Sequence, residues 1–321
     1  MDDSAPTDEV EPDPARAGAG LRAVAAVETA PVSPLRLTAG GREGTARWRG
    51  DTVERLIHLA GEPVLLQARS TSAGALRLSA SSRTEDSAAA GLARLRFWTG
   101  VDDDLTGFLR RFRADPLIGD SVRAAPHLRP WRRPLPFEVL MWAVCEQLIT
   151  DERATAIKRR IVSEHGPRDA ATGLRDAPGP EVVAGLSPAL LQRCGLSAGR
   201  SRALIAAARE IASGRVDLGA GPEDRTAGAR RLRSLPGIGP WTLAVLALHG
   251  LGDPDAIPAG DLAYLTLVGE VMTGRPRAKA TEPDVMAFVE PYAGWRGVAG
   301  LHLLRVGSRA IAARMDHPGT G

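Results

Sequence analysis

The sequence is poor in cysteine and lysine. Cys145 and Cys194 are the only cysteines among its 321 residues, too few for a disulfide framework or for a four-thiolate zinc or iron–sulfur site. Both lie in apolar helical patterns, so we expect inert core thiols. The lysines are Lys158 and Lys279. This scarcity restricts any mechanism in which a lysine amine forms a Schiff base with the substrate.

Long hydrophobic runs are also absent. No stretch approaches the roughly 20 consecutive apolar residues of a membrane span. The chain begins MDDSAPTDEVEPDP, which is acidic and unlike a secretory signal. We therefore expect no membrane partner and a cytoplasmic location. The net charge of +3 permits nucleic acid as a partner without requiring it, because the acidic tail offsets part of the positive charge of the folded body.

Composition divides the chain into three parts. Residues 1–20 have the composition of a disordered acidic tail. Residues 21–100 contain short alternating apolar runs separated by turn signals, which predict a small antiparallel β-rich domain with one helix at residues 52–60. Residues 101–315 are helical throughout. A strand-rich domain followed by a run of helices predicts the α+β class with segregated domains.

The helices in the third part are predicted from apolar spacing and from Pro and Gly punctuation. They lie near residues 102–113, 137–164, 181–193, 199–213, 224–233, 240–249, 261–273, 282–290 and 296–314.

A tight hairpin joins two of these helices at residues 235–242, LPGIGPWT. Two glycines around one aliphatic residue allow a sharp turn, and Pro240 suits the first turn of the next helix. The backbone N–H groups at this helix N-terminus would bind an oxyanion such as a DNA phosphate. We expect these contacts from five residues of the hairpin: Gly237, Ile238, Gly239, Trp241 and Thr242.

The string LPGIGPWT between two helices resembles the helix-hairpin-helix DNA glycosylases, in particular the 3-methyladenine DNA glycosylase II group, with the helix-hairpin-helix at residues 224–249. In that family a catalytic aspartate follows the hairpin across one helix and a loop. Asp261 occupies this place, 20 residues after Trp241. By itself Asp261 would be interpreted as a helix N-cap, so its catalytic assignment depends on this spacing.

A carboxylate suits the reaction that the resemblance implies. Cleavage of an N-glycosidic bond builds positive charge on the sugar, which a nearby carboxylate stabilises while it also positions or deprotonates the attacking water. Relatives that cut the strand carry a lysine at the start of the helix after the hairpin. Residues 241–245, WTLAV, contain none, so we expect base removal that leaves an abasic site.

The resemblance also implies a base pocket. Trp241 matches a pocket tryptophan, although packing in the core is the alternative, and Gln147 would face the cleft. Val245 and Leu304 stand where well-studied relatives have aromatic rings. The pocket is therefore expected to be less aromatic, in keeping with the 4% aromatic content of the chain, and the base preference stays open.

The segment PHLRP, residues 126–130, resembles the loop that inserts a leucine into the gap left by a flipped base. Leu128 is the candidate wedge, with a buried loop leucine as the alternative. The neighbouring Arg129, Arg132 and Arg133 would suit phosphates. The family's hairpin also holds a monovalent or divalent cation through backbone carbonyls, which here would belong to Arg233, Leu235 and Ile238.

The sequence thus predicts a monomeric, monofunctional DNA glycosylase that acts on double-stranded DNA with damaged bases, most simply alkylated purines, and that requires no cofactor. Two alternatives remain at this stage. One is a glycosylase for deaminated or oxidised bases, and the other is a non-catalytic DNA-binding protein. Asp261 disfavours the latter, because a carboxylate near phosphates weakens binding.

Overall fold

A computed structural model describes residues 21–38, 42–72, 74–219 and 221–316. The predicted acidic tail, residues 1–20, lies outside the described residues. Within them the chain forms one antiparallel sheet followed by helices, which confirms the α+β prediction. None of the helices in the described ranges has both the length and the apolar character needed to cross a bilayer.

The sheet has the strand order β1-β5-β4-β3-β2, and every neighbouring pair is antiparallel. Its strands, within the described residues, are β1 Ala23–Thr29, β2 Ala46–Arg49, β3 Thr52–Leu59, β4 Glu62–Ser70 and β5 Leu76–Ser82.

The predicted helix at residues 52–60 is wrong, because this segment is the strand β3. Both faces of the strand are buried. Val53 and Ile57 face the cluster that includes Leu95 and Trp98, whereas Leu56 packs with Leu21 and other residues on the opposite face. A strand covered on two sides places apolar residues at intervals of three and four, which imitates a helical period.

The helices of the described residues are α1 Glu85–Thr99, α2 Thr106–Phe112, α3 Gly119–Ala124, α4 Pro136–Glu146, α5 Asp151–His165, α6 Pro180–Ala184, α7 Pro188–Arg193, α8 Ala198–Ala212, α9 Pro222–Arg233, α10 Pro240–Val245, α11 Leu262–Thr273, α12 Glu282–Val289, α13 Arg296–Val306 and α14 Ser308–Asp316.

Several predicted helices are divided. The segment 137–164 breaks after α4 at a turn in which Leu148 has φ +55°, and 181–193 breaks ahead of Pro188. The last helix breaks at Gly307, whose φ is +81°. The sequence analysis also missed α1, which begins at the N-cap Thr84. Periodicity identifies a helical region more readily than a single-residue interruption, which leaves the apolar pattern on both sides intact.

Two apolar cores lie within the helical part. One surrounds α4, α8 and α10 and the other surrounds α11 to α13. Cys145 and Cys194 are both in the first core, and burial raises their pKa values to about 12 and about 11. The thiols are therefore protonated at neutral pH, as the sequence predicts for core cysteines.

Candidate active site

The hairpin occupies residues 234–239, between the end of α9 and the start of α10. Gly237 has φ +89°, and a Cβ added there would lie 2.8 Å from the Cβ of Ala203. Gly239 has an ordinary φ of −97° and open space around it. Of the two glycines, Gly237 is thus the one that the turn requires.

The N–H groups that could bind a phosphate differ in part from those expected. No protein acceptor within the described residues takes the N–H of Gly237, Gly239 or Trp241. The N–H of Ile238, however, donates to the Leu235 carbonyl at 3.1 Å, and Thr242 is only 1% exposed. The Ile238 N–H is thus already used and Thr242 is buried, so Gly237, Gly239 and Trp241 offer the more available N–H groups.

Gln147 forms hydrogen bonds with the hairpin and with α10. Its side-chain amide donates to the Gly237 carbonyl at 2.9 Å and to the Thr242 hydroxyl at 3.0 Å. Arg200 in turn donates to the carbonyls of Cys145 and Gln147, at 3.0 and 3.2 Å. The turn after α4 is thereby tied to the hairpin and to α8. Gln147, predicted as a pocket residue, is not in the wall of the cavity described below.

Asp261 is held in a defined orientation at the N-terminus of α11. One carboxylate oxygen accepts the Ala263 N–H at 2.9 Å, as expected for an N-cap. The other accepts the indole N–H of Trp241 at 3.1 Å. The capping and catalytic interpretations are therefore compatible, because the cap uses one oxygen and directs the whole carboxylate.

Residues at the start of α13 hold the loop that leads to Asp261. Arg296 makes a bidentate ion pair with Asp255, including a contact of 2.9 Å from Nε. The N–H of Gly297 donates to the Pro254 carbonyl at 2.9 Å. The start of α13 thus holds the loop that leads to Asp261.

A cavity of about 860 Å³ opens beside this carboxylate. Its wall includes Trp241, Val245, Asp261 and Leu128, so four of the predicted site residues meet in one place. Leu304 is outside the wall and packs against the second helical core. Leu304 and Gln147, which were also predicted as pocket residues, do not line this cavity.

Trp131 and His249 also line the cavity, and the sequence analysis missed both. Their rings stack with centroids 3.9 Å apart and an angle of 9° between planes. The tryptophan of the RPWRRP loop was the available signal, since an aromatic residue among prolines and arginines has no apolar pattern to explain it. This pair adds aromatic surface to that of Trp241 in a pocket where Val245 is aliphatic.

The arginines expected to bind phosphate near Leu128 have internal partners. Arg129 donates to the Gly100 carbonyl at 2.6 Å, and Arg132 pairs with Asp103 at 2.8 Å. Arg133 forms ion pairs with Glu43 and Glu138. These arginines place positive charge in the cavity wall. Their guanidinium groups, however, already bind protein groups that hold the loop in place.

Leu128, the predicted wedge, is half-buried in the cavity wall, and its N–H donates to the Ala125 carbonyl at 3.0 Å. Leu148, in contrast, is exposed. It is 104% exposed, has a left-handed backbone and follows Gln147, which contacts the hairpin. A fully exposed leucine held in a sparsely populated conformation is the stronger candidate for contact with DNA.

Lys158 lines the same cavity from α5. Its ammonium is ion-paired with Glu146 and lies 5.7 Å from the ring centroid of Trp142. It is not on the helix after the hairpin, where the strand-cutting relatives carry their lysine. The prediction of base removal without strand cleavage is unchanged by its position.

The hairpin carbonyls do not fit a cation as they stand. The Ile238 carbonyl accepts a hydrogen bond from the Arg233 guanidinium at 3.3 Å, and the Leu235 carbonyl accepts the Ile238 N–H. A metal ion would face a positive charge at one of its three proposed ligands.

Comparison with known proteins agrees with this geometry. The family model of the HhH-GPD superfamily of base excision DNA repair proteins matches residues 141–291. A DNA-3-methyladenine glycosylase of Bacillus subtilis is 29% identical over 212 residues, which cover 65% of this chain and 69% of that protein.

A probable bifunctional transcriptional activator/DNA repair enzyme AlkA of Mycobacterium tuberculosis is 32% identical over 214 residues. The match covers 66% of this chain but only 41% of that longer protein. Among solved structures, a 3-methyladenine DNA glycosylase from Archaeoglobus fulgidus superposes with a TM-score of 0.69 at 20% identity. It covers 82% of this chain and 89% of that one.

The family match contains the hairpin, Gln147, which donates to it, and Asp261, which accepts a hydrogen bond from Trp241. Residues 141–291 are thus similar to the HhH-GPD superfamily of base excision DNA repair proteins.

Proposed function

We propose that this protein is a monofunctional DNA glycosylase that removes alkylated purines from double-stranded DNA and leaves an abasic site. The observation that carries the proposal is the Asp261 carboxylate, which is oriented by Trp241 in the wall of a cavity next to the hairpin. The relatives named as 3-methyladenine glycosylases support the class of base. The protein would act as a monomer without a cofactor.

The chemistry follows from the two hydrogen bonds of Asp261. Its negative charge lies where a flipped nucleotide would present its sugar, and it stabilises the oxocarbenium character of the transition state. Its fixed orientation avoids reorganisation during the reaction. An alkylated purine carries positive charge and leaves readily, so a single carboxylate suffices without a separate general acid.

The exposed features around the cavity would hold the DNA. The N–H groups of Gly237, Gly239 and Trp241 would bind a backbone phosphate. Leu148 would enter the space that the flipped base vacates. Gln147 would couple these two actions, since its backbone precedes the wedge and its side chain contacts the hairpin.

The proposal is tested by incubating the protein with methylated duplex DNA, measuring the released bases and cleaving abasic sites with hot alkali. We expect release of methylated purines by the wild type and at least a hundredfold slower release by Asp261→Asn. Asp253→Asn is the matched control. Asp253 lies in the same loop and accepts the Asp255 N–H at 2.9 Å, which an amide oxygen can still do.

Three results would overturn the proposal or part of it. Faster release of oxidised or deaminated bases than of methylated purines would show that the proposed base class is wrong. Binding without any base release would indicate a non-catalytic DNA-binding protein. A borohydride-trapped covalent adduct would show an amine nucleophile and so contradict the monofunctional assignment. Full activity in a metal chelator is expected.

A further inference from the structure

His249 is placed by an irregular turn of the helix that follows the hairpin. After α10 the chain continues as a π-helical turn, Leu246–Gly250, in which the Leu251 N–H donates to the Leu246 carbonyl at 3.0 Å. Such single π-turns are found frequently at functional sites. The irregular turn places the imidazole of His249 at the wall of the cavity that Asp261 also lines.

The ring of His249 is held on two sides. Trp131 stacks on it almost in parallel, and Trp131 remains 43% exposed. The imidazole Nδ1 lies 2.7 Å from the backbone carbonyl oxygen of the same tryptophan. The loop of Trp131 and the π-turn of His249 are thus joined by one stack and one hydrogen bond.

This geometry determines which ring nitrogen carries the proton. A carbonyl oxygen can only accept, so Nδ1 must be the donor. Burial, with a smaller effect of Arg133 and Arg132, lowers the pKa of His249 to about 4 against the opposing effect of the Trp131 hydrogen bond. At neutral pH the imidazole is therefore neutral, and Nε2 bears a lone pair.

Nε2 has no hydrogen-bond partner within the described residues. The atom is not fully enclosed by protein, and His249 lines the cavity. His249 as a whole is only 8% exposed. A hydrogen-bond acceptor held in a fixed position at a binding cavity can select ligands that present a donor to it.

We infer that His249 is a specificity-determining residue, whose Nε2 accepts a hydrogen bond from an N–H donor on the edge of the flipped base. The inference rests on the proposed function. The amino group of a methylated adenine and the N1–H of hypoxanthine supply such a donor. The fused ring of 1,N6-ethenoadenine has none, so this base would leave Nε2 unpaired.

Two substitutions of His249 distinguish recognition of the base from packing within the protein. The side-chain amide of His249→Asn can still donate to the Trp131 carbonyl but offers nothing at the Nε2 position. His249→Gln reaches the Nε2 position with an amide oxygen. We expect His249→Asn to slow 3-methyladenine release from methylated DNA about tenfold, which corresponds to one hydrogen bond. His249→Gln should recover most of that loss.

The second measurement is DNA affinity in an Asp261→Asn background, which prevents turnover. The probes are one undamaged duplex and two otherwise identical duplexes that contain hypoxanthine or 1,N6-ethenoadenine. His249→Asn should weaken binding to hypoxanthine about tenfold and leave the other two unchanged. Equal losses on hypoxanthine and ethenoadenine, or no loss on either, would overturn the inference and leave His249 as a packing residue.

The two failures are distinguishable. If the wild type releases no methylated base, the proposed function fails and the inference falls with it. If the wild type releases 3-methyladenine but the His249 substitutions leave the rate and the binding preference unchanged, the proposed function stands and only the inference is wrong.

Discussion

Asp261 and Trp241 form a pair at the scale of single residues. The aspartate is both a helix cap and the candidate catalytic group, and it can be both because each carboxylate oxygen has its own donor. Trp241 supplies one donor while its ring lines the cavity. Spacing along the chain identified both residues, but their hydrogen bond could be seen only after folding.

Trp241→Phe should slow base excision about 10- to 100-fold under single-turnover conditions. The substitution keeps an aromatic ring but removes the indole N–H that holds Asp261, and a hydrogen bond to a charged group contributes about 1.5–3 kcal/mol. Trp48→Phe serves as the control, because Trp48 is exposed on β2, outside the cavity wall. An unchanged rate for Trp241→Phe would show that this hydrogen bond does not position the carboxylate.

The hairpin and the turn between α4 and α5 act as one unit at the scale of elements. Gln147 and Arg200 connect them through side-chain bonds to backbone carbonyls. The sequence pattern located the hairpin but continued α4 straight through to residue 164. The break depends on Leu148, whose apolar side chain fits a helical period while its backbone does not adopt one.

Leu148→Ala should slow excision about tenfold while the free energy of unfolding changes by less than about 0.5 kcal/mol. The side chain is fully exposed and packs against nothing in the protein, so only the DNA complex should suffer. Leu128→Ala, the alternative wedge, should instead lower stability through lost packing. Excision is therefore compared per folded molecule. If folded Leu128→Ala protein excises bases more slowly than the wild type and Leu148→Ala does not, Leu128 is the wedge and Leu148 is not.

Gly237→Ala should destabilise the protein by about 1–3 kcal/mol and weaken DNA binding. Alanine at φ +89° is strained, and its Cβ would crowd Ala203. Gly239→Ala is the matched control. It adds the same methyl group two residues after the strained position, in open space at an ordinary φ, and should leave the melting temperature unchanged. Equal melting temperatures for the two variants would refute the requirement for Gly237.

Buried charges join the sheet to the helical part at the scale of the whole molecule. Arg55 of β3 is fully buried and pairs with Glu138 of α4, which is 2% exposed. The backbone N–H of His58 donates to Asp176 at 2.8 Å. These contacts connect the strand-rich domain to the element that supports the hairpin.

Arg55→Met should therefore cost about 3–5 kcal/mol in urea unfolding, because Glu138 would remain buried with one of its charge partners removed. Arg77→Met is the control within the same sheet. Arg77 pairs with Glu28 at the surface, where the two side chains are 37% and 35% exposed, and its loss should cost less than about 1 kcal/mol. Similar costs for both variants would show that burial does not set the contribution of the Arg55 pair.

The sequence by itself determined the features encoded locally: the α+β order, the hairpin, the position of the candidate catalytic aspartate and the absence of a lysine on the helix after the hairpin. Each depends on a short string or on a fixed spacing. The tertiary structure alone decided which side chains surround the cavity. Trp131 and His249 are 118 residues apart in sequence, and Leu304 lies in another core. Packing between distant elements, which no local pattern encodes, makes these choices.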